Sequence, residues 1–287
     1  MLGKLIKYEW KNTYKVGGIL LITMFIFTVL CMLSFQSPMW QAAFNGTDYE
    51  TNPFLSPIDM LAIMTLILYF IMLMCVSYGI MIYLGVHFYK TMYTDEGYLI
   101  HTLPVKKYQI LNSKIFIGGI WMLIISAAMV VSIIAVICGI VMPLVEPSAS
   151  EMSIWEAICF VMEELWMEIK LAGMTGSVVH FIISMILMVL IAPFGGIAIM
   201  YGAISMGQLF SKYRVMMAIF CYIGVIIVNY IISMFIQLPI TIRAVSTDDI
   251  FALYNSTYDA AILLNVVMAA IMYFVAHYVI TKRLNME

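Results

Sequence analysis

Four residues have side chains that could take part in catalysis at a membrane: Glu163, Glu164, His180 and His277. A lone imidazole in an apolar segment usually hydrogen-bonds a neighbouring helix, and no complete catalytic set accompanies these residues. The sequence has no H-E-x-x-H zinc motif, no G-x-x-x-x-G-K-[ST] phosphate loop and no G-x-S-x-G nucleophile motif. An intramembrane enzyme therefore stays only as an alternative, and we expect no cofactor and no metal in this chain.

The apolar segments also lack the groups that drive ion-coupled transport. Asp59 and Asp259 fall at the predicted outer ends of their segments, and Asn229 and Gln237 are neutral. A proton- or sodium-coupled carrier normally keeps ionisable groups near mid-membrane, and a selective channel uses charge rings or carbonyl loops. We therefore expect another protein to supply the energy, acting through the cytoplasmic connection 87–114.

The composition places the elements that carry these residues in a lipid bilayer. Of the 287 residues, 64% are hydrophobic and 10% are charged, whereas a soluble domain is about half apolar and about a quarter charged. One water-soluble core cannot hide so much apolar surface. The net charge of −2 offers no basic surface to nucleic acid. A soluble enzyme, a disordered chain and a nucleic-acid binder are excluded.

Six stretches are long and apolar enough to cross a membrane as helices. None contains Lys or Arg, and none alternates as the strand of a β-barrel would. The sequence predicts an all-α polytopic membrane protein, with residues 1–287 forming a single transmembrane domain. The predicted spans are 16–35, 58–86, 115–141, 177–203, 215–237 and 259–281.

The distribution of Lys and Arg predicts that both termini are cytoplasmic. Basic residues flank the spans in a ratio of 12 on one side to 2 on the other, and an odd number of spans would scramble this ratio. Residues 1–15 are predicted to form an interfacial helix with Lys4, Lys7, Lys11 and Lys15 on one face. This helix serves either as a topology anchor or, in addition, as a contact for a cytoplasmic partner.

Two connections are too apolar to be simple linkers. Residues 87–114 form a cytoplasmic elbow, which either docks a partner or packs under its own bundle. Residues 146–175 are predicted to form an extracytoplasmic amphipathic helix. Its acids either keep the outer loops hydrated or attract cationic ligands. The acids considered for attraction are Glu156, Glu163, Glu164 and Glu168.

Three pairs of small residues at four-residue spacing predict close helix packing. They are Cys75-x-x-x-Gly79, Ala198-x-x-x-Gly202 and Ala203-x-x-x-Gly207.

The opening "MLGKLIKYEWK", the elbow "TDEGYLIHTLPVKKYQILNSK" and the six-span layout resemble the ABC-2 type permeases, the membrane subunits of ATP-driven exporters. The resemblance implies cytoplasmic ABC ATPase subunits that bind ATP and magnesium, and a second six-span subunit, identical or related. It also implies a cell-membrane, multi-pass protein of bacterial type. The resemblance assigns ATPase coupling to a set of elbow residues: Asp95, Glu96, Gly97, Tyr98, Leu99 and Pro104.

The expected cargo is amphipathic: a peptide such as an antimicrobial or lantibiotic-like peptide, or a lipid. The acid-rich exterior favours a cationic peptide. A membrane sensor or immunity protein that binds a peptide without transporting it is the main alternative, and it predicts no ATPase partner.

Overall fold

The computed structural model describes residues 2–37, 40, 57–94, 96–97, 100, 102, 105–141, 163–164, 166–167, 170–171, 173–210, 212–247 and 250–283. Within these ranges the chain is almost entirely helical and contains no strand.

Six helices are long and apolar enough to cross a membrane, which confirms the predicted fold class. They are α1 (Leu2–Ser34), α2 (Pro57–Tyr93), α3 (Lys107–Val141), α4 (Thr175–Gly207), α5 (Arg214–Thr247) and α6 (Ile250–Tyr278). A π-helical turn, Val279–Arg283, continues α6. Apolar side chains dominate the outward surface of all six helices, as lipid requires of a membrane span.

Helices α1 to α4 extend beyond the predicted spans at their predicted cytoplasmic ends. Helices α5 and α6 extend mainly at their predicted outer ends, α5 to Thr247 and α6 from Ile250. Residues 2–15 are the first turns of α1 and not a separate helix. Similarly, 87–93 belong to α2 and 107–114 to α3, so the elbow shortens to 94–106. Most of the predicted outer helix 146–175 lies outside the described residues. These extensions bring polar side chains of the connections onto rigid helices.

The chain divides into two compact units, and helices α1 to α3 each contribute to both. The first unit comprises Met1–Asn12, Ile82–Leu123 and Met167–Glu287, and the second comprises Thr13–Met81 and Ile124–Trp166. In the second unit, the Ser132 hydroxyl lies 2.7 Å from the hydroxyls of both Thr28 and Tyr69. This hydrogen-bonded group links α1, α2 and α3 within an apolar interior.

Close packing of α4 against α5 and α6 forms the core of the first unit. Ile199 and Ala203 of α4 pack against Met268 and Met272 of α6. A Cβ atom on Gly202 would lie 2.6 Å from the carbonyl oxygen of Met272, so only glycine allows this approach. Gly207 meets the backbone of Ala218 in α5 in the same way. Two of the three predicted small-residue pairs therefore include a glycine at a helix contact.

The remaining pair, Cys75 and Gly79, does not mediate close packing. Cys75 is exposed, and a Cβ on Gly79 would meet only the side chain of Leu20, at 3.9 Å. The prediction for this pair is wrong because its spacing permits a close approach without requiring one. Among the described residues, no backbone atom of a neighbouring helix lies within 4 Å of the position that this Cβ would take.

Candidate functional site

The elbow that joins α2 to α3 carries the residues to which the resemblance assigns ATPase coupling. Only two of these fall within the described part of the chain, namely Glu96, which is exposed, and Gly97, which is buried. The others, Asp95, Tyr98, Leu99 and Pro104, lie outside the described residues.

Gly97 lets the chain turn back tightly against the end of α2. Its N–H donates a hydrogen bond to the Thr94 carbonyl at 2.8 Å. A Cβ on Gly97 would lie 2.7 Å from the carbonyl carbon and oxygen of Met92, so the space admits no side chain. Gly97 is therefore held against the last turn of α2, and the neighbouring Glu96 is exposed.

An ion pair buried inside the first unit lies at the base of the elbow. Lys114 Nζ donates to Glu9 Oε1 at 2.6 Å, and the two side chains are 2% and 7% exposed. His87 Nε2 donates to Glu9 Oε2 at 3.1 Å, since an ionised carboxylate can only accept. Both carboxylate oxygens of Glu9 thus have partners from two other helices.

Thr91 completes this arrangement of hydrogen bonds. Lys114 Nζ donates to Thr91 Oγ1 at 2.7 Å, and that hydroxyl donates to the carbonyl of His87, also at 2.7 Å. We call Glu9, His87, Thr91 and Lys114 the basal ion cluster. Burial of charge is tolerated when the charges are paired and hydrogen-bonded, and the cluster meets both conditions.

Aromatic contacts surround the basal ion cluster within the same unit. Trp10 stacks on Trp121 with ring centroids 4.9 Å apart, which joins α1 to α3. Phe88 stacks on Tyr201 at 3.9 Å, which joins α2 to α4.

A further pair of hydrogen bonds connects the ends of the elbow to α4 and α6. Tyr93 OH donates to Ser205 Oγ at 2.7 Å, and Lys107 Nζ donates to the Ile280 carbonyl at 3.0 Å. Both helix ends that bound the elbow are therefore tied to the rest of the unit.

The basal ion cluster lies close to the elbow along both helices that bound it. His87 and Thr91 lie in the last two turns of α2, and Lys114 lies two turns into α3. Glu96 is close enough to Lys114 for electrostatic attraction. Glu9 connects both of these helix ends to α1.

The basal ion cluster is not predicted from the sequence, where Lys114 is one of the basic residues that indicate which ends of the spans are cytoplasmic. The expectation that the predicted spans lack buried carboxylates is wrong for Asp59, which is buried near the start of α2. Glu9 is also buried, but it lies before the predicted span 16–35, on the extension of α1. The spacing of Glu9, Thr13 and Gly17 at every fourth residue was an available signal. All three lie on the buried face of α1, although two of them are polar.

The four lysines predicted to anchor the N-terminal segment all lie on exposed positions of α1: Lys4, Lys7, Lys11 and Lys15. Their side chains point away from the face that contains Glu9, which is consistent with contact to lipid headgroups. Surface anchoring by these lysines stays a prediction.

The predicted outer acids are described only in part. Glu163 and Glu164 are exposed, whereas Glu156 and Glu168 lie outside the described residues. Attraction of cationic ligands by these acids stays a prediction.

The two histidines considered for catalysis belong to different ends of the first unit. His180, at the start of α4, lies 3.4 Å from Asp259, which also accepts a hydrogen bond from Ser184 at 2.8 Å. In a Ser-His-Asp triad the imidazole must contact the hydroxyl, but here the carboxylate lies between them. His277 is in the last turn of α6 and stacks on Tyr273.

Among the described residues, no group of three or more His, Cys, Asp or Glu side chains could hold a metal ion. No protein-family model, curated protein or solved structure matches this chain.

Proposed function

We propose that this membrane protein is the permease subunit of an ATP-driven ABC exporter that moves an amphipathic substrate, a peptide or a lipid. The observation that carries the proposal is the buried basal ion cluster directly behind the elbow. An elbow that merely connected two spans would not need buried charges to tie it to a third helix, because such charges are costly to desolvate. An elbow that receives force from a partner would need such a connection to a third helix.

In this proposal, the chain pairs with a second six-span subunit and with two cytoplasmic ABC ATPase subunits. The ATPases bind ATP and magnesium, and the permease chain binds neither. Closure of the ATPases would displace the elbows, and the basal ion cluster would carry that displacement into α1, α2 and α3. The helices would then change between two arrangements, which is how differential binding drives a transport cycle.

Gentle purification of the full chain from its own cells tests the partnership. We expect a protein with a Walker motif to co-purify in amounts comparable with the chain. The sensor or immunity alternative would be favoured instead if the chain purified without an ATPase and bound a peptide measurably.

Reversing the two elbow acids should uncouple the ATPase. We expect Asp95→Lys combined with Glu96→Lys to lower ATPase recovery by about tenfold or more. The new lysines would repel the surface of the ATPase that the two acids are proposed to attract, and like charges at an interface cost several kcal/mol. The measurement is the ratio of ATPase to permease after affinity purification.

The matched control for this prediction reverses another adjacent acidic pair, Asp248 and Asp249, which are predicted to lie on the outer side. Asp248→Lys combined with Asp249→Lys should leave the ratio unchanged. Equal recovery from the elbow variant and the control would exclude the elbow as the contact.

A further inference from the structure

A groove opens between α3, α4 and α6 within the first unit. Its volume is about 600 Å³, which is within the range of ligand-binding pockets. Phe116 of α3, Leu190 of α4 and Phe274 of α6 lie along it, and each is at least 46% exposed. We call this feature the α3–α4–α6 groove.

The lining chemistry restricts what the groove can bind. None of its residues carries a charge, and the polar ones are Asn112, Asn265 and Tyr273. Tyr273 OH donates to Asn112 Oδ1 at 2.8 Å, so these two satisfy each other. The oxygen of Asn265 packs against Gly195, whose missing side chain leaves the space for it. A ligand with a charged body would lose its hydration without an opposite charge to compensate for the loss.

The position and length of the groove match one leaflet of a bilayer. Leu190 and Asn265 lie at the middle of α4 and of α6, and Asn112 lies in the second turn of α3. From Asn265 to Phe274, a helix rises about 14 Å. One leaflet contributes about 15 Å of hydrocarbon. Exposed lysines, Lys106 before α3 and Lys282 after α6, lie at the same end as Asn112, where phosphate headgroups would be.

We propose that the α3–α4–α6 groove is a binding site for one acyl chain of a lipid in the cytoplasmic leaflet. The chain enters with its methyl end toward Asn265 at mid-membrane, and its glycerol end lies beside the Tyr273–Asn112 pair. This inference goes beyond the proposed function, and it stands whether or not an ATPase binds the elbow.

Photo-crosslinking of a lipid probe tests the proposal directly. The purified full chain is reconstituted in phosphatidylcholine vesicles that contain phosphatidylglycerol with a diazirine on one acyl chain. After illumination, mass spectrometry locates the labelled residues. We expect labels concentrated on Phe116, Leu190 and Phe274. Labels spread evenly over all outward-facing apolar residues, those of α5 included, would overturn the proposal.

Two adjacent valines of α6 provide the matched variants. Val266 and Val267 are both 45% exposed, but only Val266 lines the groove. Val266→Trp should lower groove labelling by about fivefold or more, because an inserted ring occupies the space of the ligand. Val267→Trp should leave it within about twofold. Ala270→Phe, a second groove-filling change at an exposed position, repeats the test if Val266→Trp fails to fold.

A peptide competitor separates a lipid from a peptide occupant. An amphipathic lysine–leucine peptide added in excess should leave the labelling of the groove unchanged. If the peptide reduced the labelling, the proposal would be overturned in favour of a peptide site. Equal labelling of the Val266→Trp and Val267→Trp variants would also overturn it.

Discussion

Replacing Lys114 with methionine should lower the free energy of unfolding by about 3–5 kcal/mol, because it leaves the carboxylate of Glu9 buried without its cation. As whole residues, Lys114 is 3% exposed and Glu9 is 5% exposed, so water cannot replace the lost partner. His87 would still donate a hydrogen bond to the carboxylate, but a neutral imidazole does not bring a positive charge. The measurement is reversible unfolding of the full chain in mixed detergent micelles.

The double variant Glu9→Gln with Lys114→Met should recover more than half of this loss. It removes both charges, so that no uncompensated ion remains, and a glutamine oxygen can still accept from His87. Lys11→Met, a change at an exposed position of the same α1 helix, serves as the control and should alter stability by less than about 0.5 kcal/mol. Additive losses in the double variant would show that the two charges do not act as a pair.

The basal ion cluster also bears on mechanism. Buried ion pairs add little to stability compared with apolar residues of the same volume. We propose that the pair of Glu9 and Lys114 fixes a defined geometry where the helices meet. Three helices meet in this cluster, and two of them bound the elbow, so we expect the double variant to fold well and to transmit elbow movement poorly.

Replacing Gly202 with alanine should destabilise the packing of α4 on α6 by about 2–3 kcal/mol. The added Cβ would lie 2.6 Å from both the Cβ and the carbonyl oxygen of Met272, and backbone atoms cannot rotate away. The two helices would have to separate along a contact that includes Ile199, Ala203 and Met268. The measurement is unfolding in detergent. A cysteine crosslink between α4 and α6 reports separately on the contact of these two helices.

Gly196, six residues earlier on the same α4 helix, is the control for Gly202. A Cβ on Gly196 would meet nothing within 4 Å, so Gly196→Ala should be neutral or should stabilise the helix by up to about 1 kcal/mol. If both substitutions had the same effect, helix propensity and not the helix contact would explain the role of Gly202.

The number and type of the helices could be predicted from the sequence because they depend on local properties. A run of about 20 apolar residues without charge must form its own backbone hydrogen bonds in lipid, and six such runs correspond to α1 to α6. The ends of the helices were predicted less well. Residues 87–93 were predicted to belong to the cytoplasmic connection, yet they continue α2, where His87 and Thr91 have partners within the unit.

Side-chain partners could not be predicted, since they depend on which helix faces meet. Glu9 is separated from His87 by 78 residues and from Lys114 by 105 residues, and nothing local to any of them indicates the other two. In sequence, Glu9 belongs to a predicted interfacial helix, and His87 and Lys114 belong to the predicted cytoplasmic elbow 87–114.

The small-residue pairs show the same division between local and tertiary information. By itself, the sequence determined a membrane protein of six helices, because burying apolar residues and satisfying the backbone are requirements that each segment meets alone. Cys75-x-x-x-Gly79 and Ala198-x-x-x-Gly202 are equivalent as patterns, but only the second contains a glycine against a neighbouring backbone. The tertiary structure alone decided which glycine permits a helix contact and which lysine is buried, because close packing and charge pairing require residues that are distant along the chain to approach within a few ångströms.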